Sequence, residues 1–422
     1  MTRSHLNTLP RLDTLRDRFD QGEGPAITSV CSAHPLVIEA ALLHAASRGK
    51  PALIEATCNQ VNQDGGYTGM TPAGFRDYVF GIAERLDFPR EQIILGGDHL
   101  GPNPWKSLPA EEALKKASDM IAAYAEAGFT KLHLDASMGC KGEADHLPDE
   151  IVAERAVMLA RRAESVAPGL PVYVIGTEIP TPGGATEALD HVVPTTPDAV
   201  RATYRVHEKA FRDGVPEAWP RVIGIVVQPG VEFGHEDVAI YKPEQARDLV
   251  ATLAQLPGLV FEEHSTDYQP GASLARLKQD GFCILKVGPE LSFALRETLY
   301  GLDAINGFID PQAVSLVGIM EKTMLASPAN WQSHYHGNAM EQHILRHFSY
   351  SDRIRYYWPE PVAEQGVATL IQSLEKAPVP ETMISQYLPR LFERVKSGAL
   401  AADPKSLLIQ SVRDVLDRYE TL

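Results

Sequence analysis

The chain has 422 residues, 44% of them hydrophobic, so it can bury a large core and is long enough for one large domain or two ordinary ones. Its formal net charge of −16 and isoelectric point near 5.3 give an acidic surface without a Lys/Arg cluster, which argues against nucleic acid as a partner. Four scattered cysteines without a C-x-x-C pair indicate reduced thiols, and the lack of a signal-peptide core or long apolar run predicts a cytoplasmic protein with no membrane partner.

From residue 27 to about residue 290, short apolar runs alternate with amphipathic segments of helical length, which is typical of a parallel sheet. The apolar runs predict strands at residues 27–31, 52–56, 93–96, 131–134, 172–176, 222–227, 259–262 and 283–287. The intervening segments predict helices at residues 35–47, 71–86, 111–127, 150–166, 197–212, 243–256 and 291–300. Eight such units predict an α/β fold of the (β/α)8, or TIM barrel, class. A doubly wound sheet is disfavoured because no Gly-rich phosphate loop follows the first strand.

The last part of the chain keeps helical periodicity without strand-like runs. Helical segments are predicted at residues 367–374, 383–395 and 407–419. We therefore predict a barrel at residues 1–305, with its metal and substrate site at the C-terminal face, and a helical extension at residues 306–422 that packs on the barrel. The aromatic segment SYSDRIRYYWPEP, residues 349–361, is interpreted as a loop or a join between helices.

Polar side chains follow the predicted strands, at the face where barrels of this class build their active sites. They are Ser32 and His34; Asn59, Gln60, Asn62 and Gln63; Asp98 and His99; Asp135 and Ser137; Glu178; Gln228, Glu232 and His235; Glu263, His264 and Asp267; and Lys286 within the last strand. Any one of them is equally well explained as an ordinary exposed loop residue. Their repetition at eight strand ends favours a single site.

The strongest local signal is IILGGDHLGPNPW, residues 93–105. Two glycines allow close backbone packing, and the adjacent Asp98 and His99 aim a carboxylate and an imidazole in different directions. We predict that His99 binds a metal and that Asp98 exchanges a proton beside it. The alternative is that His99 caps the following helix while Asp98 binds backbone amides.

Two further histidines lie at the mouths of later predicted strands, His235 in VVQPGVEFGH and His264 in LVFEEHSTD. Three histidines with an open fourth position are typical of a catalytic zinc site. The sequence therefore predicts a divalent metal, zinc, held by His99, His235 and His264. Taken alone, each of the later two is more often a loop histidine than a ligand.

Asp135 and Glu178 are predicted to orient an imidazole or to contact substrate hydroxyls, and Glu178 joins Asp98 as a catalytic candidate. His133 shares a strand face with Asp135 and is equally well explained as a core histidine. The predicted substrate-binding residues are Asn59, Gln60, Asp135, Ser137, Gln228, Asp267 and Lys286.

Long motifs occur at these strand ends and in the extension. They are TSVCSAHPLVIEAALLHA, IEATCNQVNQDGGYTGMTPAGFRDYVF, IILGGDHLGPNPW, KLHLDASM, YVIGTEIPTPGG, IVVQPGVEFGH, EEHSTDYQ, ILKVGPELSFALRE, SDRIRYYWP and MISQYLP. With them the sequence resembles the GatZ/KbaZ family over nearly its whole length. The resemblance implies a non-catalytic subunit of class II tagatose-1,6-bisphosphate aldolase, formerly called tagatose-6-phosphate kinase. A kinase is disfavoured because the chain has no G-x-x-x-x-G-K-[ST] motif.

The pattern is more distantly similar to the catalytic class II fructose and tagatose bisphosphate aldolases, which are zinc-dependent barrels. That similarity implies that Asp98 is the proton-transfer acid and His99 a zinc ligand, with His235 and His264 where the later ligands fall. The chain departs from this pattern after His264, because Ser-Thr-Asp267 replaces a glycine/serine phosphate loop. The last strand end, KVGPELS, also lacks the phosphate-binding turn, which weakens the case for a 1-phosphate site.

Two hypotheses follow for the function. In the first, the chain supports a class II aldolase catalytic subunit. In the second, it is a metal-dependent ketohexose 4-epimerase in which Asp98 takes the C4 hydroxyl proton as the C3–C4 bond breaks, and the aldehyde rotates before the bond re-forms. Both predict a ketohexose or its phosphate as ligand, and both leave homo-oligomer formation open.

Overall fold

Eight parallel strands close into a barrel in a computed structural model that describes residues 11–176, 192–376 and 378–420. The strands are β1 Ile27–Cys31, β2 Ala52–Thr57, β3 Ile93–Leu100, β4 Lys131–Leu134, β5 Val172–Ile175, β6 Val222–Val226, β9 Val260–Glu263 and β10 Phe282–Val287. Their order around the barrel is β1-β10-β9-β6-β5-β4-β3-β2, so the first and last strands pair. The predicted (β/α)8 barrel is confirmed.

Two short strands outside the barrel were not predicted. Strand β7, Glu232–Phe233, pairs antiparallel with β8, Val238–Ala239. This ribbon lies in the connection that follows β6, and it includes part of the segment in which the sequence predicts a metal ligand.

Helices cover the outside of the barrel. They are α1 Leu15–Asp20, α2 Pro35–Arg48, α3 Pro72–Arg85, α4 Ala110–Glu126, α5 Asp149–Val166, α6 Pro197–Gly214, α7 Pro243–Ala251, α8 Gly271–Gln279 and α9 Pro289–Ile309. Thr71 and Thr196 cap the amino ends of α3 and α6, and each is followed by a proline at the first helical position, where a missing N–H costs nothing. All seven predicted helices are present, whereas the nine-residue α8 was not predicted.

In the described part of the chain, every regular element after β10 is a helix. After α9 come α10 Leu316–Ala326, α11 Ala339–Phe348, α12 Pro361–Leu374, α13 Glu381–Tyr387, α14 Pro389–Lys396 and α15 Pro404–Tyr419. The predicted helix at residues 383–395 is divided into α13 and α14, because Pro389 cannot donate the hydrogen bond that would continue it. Helix α9 runs through the proposed boundary at residue 305, and the division of the chain into two domains stays a prediction.

The floor of the barrel interior is apolar. Side chains alternate across each strand, so every second residue points inward. Leu53, Ile94 and Val260 belong to a buried inner cluster. Leu12 and Leu15, from the segment that precedes β1, complete this cluster. Charged side chains occur in the next layer, where Glu55 and Lys131 stand level with Gly96 in the strand register.

Candidate active site

A layer of buried charges lies above the apolar floor. It follows from the strand period, since Glu55 stands two residues after Leu53 on β2 and Glu262 two residues after Val260 on β9. The Lys131 ammonium, fully buried on β4, lies 2.7 Å from Glu55 Oε1 and 2.8 Å from Glu262 Oε2. Isolated charges at such depth are strongly disfavoured, but charges that alternate in sign compensate one another.

Lys286 of β10 links this layer to the mouth of the barrel. Its Nζ lies 3.1 Å from Glu55 Oε2 and 3.5 Å from Glu262 Oε1, and it also contacts Asp98 Oδ1. Burial disfavours the ammonium form, yet Asp98 and Glu55 hold the pKa of Lys286 well above its ordinary value. The lysine is therefore a fixed positive charge directly beneath Asp98.

Gly96 is needed for this layer to form. A Cβ at Gly96 would lie 2.4 Å from Glu55 Oε1, whereas a Cβ at Gly97 would lie 2.6 Å from Leu100 Cδ1 and 2.8 Å from Tyr124 Cδ1. The two glycines of the 93–105 motif thus serve opposite faces of β3. One makes room for a buried carboxylate inside the barrel, and the other allows α4 to pack closely outside.

Three imidazoles meet at the barrel mouth: His99, His133 and His264. Their ring centroids are 4.9 Å apart for His99 and His133, 4.8 Å for His99 and His264, and 5.1 Å for His133 and His264. Ligand atoms of these three residues and of Asp98 all lie within 4.8 Å of one another, close enough to share one metal ion. We call these four residues the mouth group.

An irregularity in β3 aims His99 at this point. His99 has a φ of 48°, and the pairing of β3 with β4 shifts register between Gly97 and Leu100. Such a bulge redirects a side chain, and a left-handed non-glycine residue of this kind is disfavoured by about 1–3 kcal/mol. His99 Nδ1 lies 3.0 Å from Asp135 Oδ2, and this hydrogen bond keeps the pKa of Asp135 low despite burial. Asp135 therefore holds the His99 imidazole in this orientation.

Asp98 is surrounded by groups that favour its ionised form. Its Oδ1 lies 3.0 Å from His133 Nδ1, and the Cys31 thiol lies 3.5 Å from Oδ2. Burial would raise the pKa of Asp98, but His99 and Lys286 together hold it well below the ordinary value. Asp98 is therefore ionised at neutral pH.

His133 and His264 are each fixed by a second contact. His133 Nε2 donates to the carbonyl oxygen of Gly176 at 2.9 Å, and the Asp98 hydrogen bond outweighs burial and raises the pKa of His133. His264 Nε2 lies 3.0 Å from Glu262 Oε1, which belongs to the charged layer below. His133 is therefore oriented by the end of β5 and His264 by a carboxylate that lies deeper in the barrel.

The structure does not bring His235 into the mouth group, so the predicted set of three histidines needs correction. His235 Nδ1 lies 3.1 Å from Ser351 Oγ, and Nε2 lies 3.0 Å from the carbonyl oxygen of His334. Both contacts belong to the helical extension. His133 takes the third position instead, because it points inward from β4.

A cavity opens above the mouth group and encloses about 890 Å³, part of it open to solvent. Of the predicted site residues, it is lined by Asn59, Gln60, Asp98, His99, Asp135, His264, Asp267 and Lys286. Ser137 and Gln228 are not among its lining residues: Ser137 Oγ donates to Asp135 Oδ1 at 2.7 Å, and Gln228 Oε1 accepts from two backbone amides in its own turn. Glu178 lies outside the described residues, so its predicted role stays a prediction.

The cavity also contains residues to which the sequence assigned no role. Tyr67 follows β2, and Arg355 and Tyr356 come from the extension. The rings of Tyr67 and Tyr356 meet edge to face at 4.9 Å. The aromatic segment SDRIRYYWP stood out in the sequence, but its local pattern does not indicate that it lies at the barrel mouth.

The sequence model of the family described as "D-tagatose-1,6-bisphosphate aldolase subunit GatZ/KbaZ-like" matches residues 12–422. A crystal structure of a probable tagatose 6 phosphate kinase from Sinorhizobium meliloti 1021 is similar, at 55% identity and a TM-score of 0.88, over 93% of this chain and 99% of that chain.

Two aldolase structures are more distant. A fructose-bisphosphate aldolase from Campylobacter jejuni is 16% identical with a TM-score of 0.44, over 87% of this chain and 93% of that chain. The YdjI aldolase from Escherichia coli K12 is 12% identical with a TM-score of 0.41, over 87% of this chain and 97% of that chain. At this level neither likeness says anything about activity. Within the described residues, no helix is long and apolar enough to cross a membrane.

Proposed function

The chain belongs to the family of GatZ/KbaZ-like subunits of D-tagatose-1,6-bisphosphate aldolase, and from this premise we propose that it supports the activity and stability of a class II catalytic subunit. The observation behind this proposal is the family match over residues 12–422, which spans both the barrel and the extension. Kinase activity is not proposed, because the sequence has no phosphate-binding G-x-x-x-x-G-K-[ST] motif.

Addition of the purified chain to a class II tagatose-bisphosphate aldolase tests this role. We expect a longer thermal lifetime or a higher activity of the aldolase, because a partner that binds only the folded state stabilises it by mass action. The variant Asp98→Asn should support the aldolase equally well, since its change lies inside the barrel. No effect at saturating concentration, or an effect that disappears with Asp98, would contradict the supporting role.

We propose further that the mouth group binds a divalent metal ion, zinc. The residues fit such an ion: three imidazoles converge, each is oriented by a carboxylate or carbonyl, and the cavity leaves an open position. His99 and His264 would hold the ion together with His133, whose Nδ1 would lose its proton and exchange its hydrogen bond to Asp98 for the metal. Asp98 would stand beside the ion as a base. A divalent ion at this place would draw electron density from the carbonyl of a bound ketose.

A second candidate function is C4 epimerisation of a ketohexose, and the complete mouth group beneath a cavity favours it. Asp98 would take the proton of the C4 hydroxyl while the C3–C4 bond breaks, and the electron pair of that bond would pass to the carbonyl oxygen at C2. The aldehyde fragment would rotate before the same atoms rejoin, and Asp98 would then return its proton to the C4 oxygen. Lys286 would keep the carboxylate ionised before it takes this proton.

NMR of fructose and tagatose incubated with the zinc-loaded chain in D2O tests the second function. This route breaks no C–H bond at C4, so the product should carry no deuterium there. It also needs no nicotinamide, for which the first strand end offers no binding loop. Deuterium at C4, or a requirement for added NAD, would exclude the retro-aldol route.

A further inference from the structure

The extension supplies a positive charge to the rim of the cavity. Arg355 and Tyr356 lie in the turn Arg353–Tyr357 and line the cavity together with residues of the mouth group. The Arg355 guanidinium lies 4.4 Å from the centre of the Tyr356 ring, and its side chain is half-buried. Among the described residues that line the cavity, Arg355 is the only arginine.

Neutral groups hold this guanidinium in place. Nη1 donates to the carbonyl oxygen of Asp352 at 3.1 Å and also to that of Ser351, and Nη2 donates to the Tyr356 hydroxyl at 2.9 Å. Within the described part of the chain, none of these hydrogen-bond partners is a carboxylate. Arginine side chains that are removed from solvent commonly pair with an anion. The planar guanidinium can form two parallel hydrogen bonds to a phosphate or carboxylate group.

The neighbouring groups leave the rim positive. Arg353 lies on the same tyrosine, 5.1 Å from the centre of the Tyr356 ring. Burial alone would raise the pKa of Tyr356, but Arg355 and Arg353 lower it below its ordinary value. The Asp352 carboxylate beside them interacts with Arg355 but is bound by Ser292 and Arg296. Among the described residues, the segment 352–356 therefore carries a net positive charge beside the cavity.

Another part of the cavity wall holds a carboxyl group of the chain. Asp267 Oδ1 accepts hydrogen bonds from the amides of Gly288 at 3.0 Å and Glu290 at 2.7 Å. These amides form the amino end of α9, which is the kind of position where barrels of this class bind phosphate. A carboxylate of the chain itself fills this position, and burial raises the pKa of Asp267 to about 7. A second anion on the ligand would find no free amides here.

We propose that Arg355, with the Tyr356 hydroxyl, binds a single anionic group, phosphate or carboxylate, at the end of an open-chain ketose remote from its carbonyl. This inference rests on the proposed ketose site. It assigns the specificity of that site to the extension, and it makes a singly anionic sugar the preferred ligand over a neutral sugar.

Calorimetric titration of the full-length, zinc-loaded chain tests the proposal. The probes are D-tagatose, D-tagatose 6-phosphate, D-tagaturonate and D-tagatose 1,6-bisphosphate. We expect at least one of the two singly anionic sugars to bind about 10-fold or more tightly than D-tagatose, because hydrogen bonds to a charged group are the strong ones. The tighter of the two identifies phosphate or carboxylate as the group bound. The bisphosphate should bind no more tightly than the 6-phosphate.

Two variants form a matched pair. Arg355→Gln should lower the affinity for the preferred anionic sugar about 10- to 100-fold and leave that for D-tagatose unchanged. Arg353→Gln removes a neighbouring charge from the same turn, but Arg353 donates to the carbonyl oxygen of Asn330 and does not line the cavity, so the preference should survive. Equal binding of neutral and anionic sugars, or equal losses in both variants, would overturn the proposal.

Inorganic phosphate separates this inference from the proposed function. If no ketose binds but phosphate binds to the wild type and not to Arg355→Gln, the anion site stands while the ketose site fails. If ketoses bind without any preference for an anionic end, the ketose site stands and the anion site is refuted. A bisphosphate that binds more than about 10-fold tighter than the 6-phosphate would refute the single-anion limit.

Discussion

Two clusters of histidines and carboxylates in this molecule look alike in composition but differ in what they can do. The mouth group holds Asp98, His99, His133 and His264 inside the barrel. The second cluster, which we call the extension group, consists of Glu321 of α10 with His343 and His347 of α11. His343 Nδ1 and His347 Nε2 each lie 3.0 Å from an oxygen of Glu321.

The difference lies in the charges around each cluster. Arg346 lies within the extension group, with Nε 2.9 Å and Nη2 2.5 Å from the oxygens of Glu321, and His347 Nδ1 also contacts the Tyr300 hydroxyl at 2.6 Å. A cation already neutralises the carboxylate that a metal ion would need. In the mouth group a cation, Lys286, also contacts the carboxylate of Asp98, but His99 and His264 line an open cavity and each has a further carboxylate behind its ring. Histidine and carboxylate side chains that lie close together are therefore not sufficient to make a metal site.

The largest expected effect is on metal content. His264→Ala should reduce bound zinc from about one equivalent to nearly none and abolish any turnover, because a ligand of the proposed site is lost. His343→Ala, the matched change in the extension group, should leave zinc content unchanged. Mass spectrometry of the protein dialysed against zinc measures both. If His264→Ala kept its zinc, or His343→Ala lost it, the contrast between the clusters would be wrong.

Asp98→Asn tests the difference between the two clusters through the rate of ketose turnover. Proton-transfer residues typically contribute about 10²–10⁴-fold, so any ketose turnover should fall by that order while zinc content is retained. Glu321→Gln, which alters the carboxylate of the extension group, should leave turnover unchanged. The initial rate of epimerisation, followed by NMR, measures the effect. A fall of less than about 10-fold for Asp98→Asn would remove its role as base.

The next effect is on stability. Lys131→Met should lower the free energy of unfolding by about 3–5 kcal/mol, because it leaves Glu55 and Glu262 buried with less compensating charge. Arg346→Met should cost only about 2 kcal/mol, since Glu321 keeps its two histidine contacts and is partly exposed. Urea denaturation of the two variants and the wild type gives both values. If both variants lost the same free energy of unfolding, burial depth would not determine how much these charges contribute to stability.

The smallest effect is the pH dependence of the extension group. Burial lowers the pKa of His347 from 6.5 to about 4. Between pH 6.5 and pH 4, His347 is therefore protonated in the unfolded chain but neutral in the folded chain. Stability should therefore fall as the pH drops from about 6.5 towards 4. His347→Gln should reduce this slope by about 1 kcal/mol per pH unit. Thermal unfolding across that pH range measures the slope, and an unchanged slope in the variant would contradict the assignment.

Sequence patterns were sufficient to predict the barrel and three of the four residues of the mouth group. Apolar runs and helical periods are local patterns, so all eight strands were predicted to within a few residues at their ends. The motif at residues 93–105 identified Asp98 and His99 for the same reason, because paired glycines and adjacent polar residues can be recognised without knowledge of the fold. His264 followed from its position just after an apolar run.

Only the tertiary structure decided between His133 and His235. His133 lies within the buried strand KLHL, where the sequence cannot distinguish a core histidine from one that points into the mouth. His235 was expected at the mouth because it follows a strand, but the extension binds its ring through contacts more than 90 residues away in the chain. The placement of Arg355 was decided in the same way. Barrel closure and the packing of the extension set these distances, and neither is encoded in a local pattern.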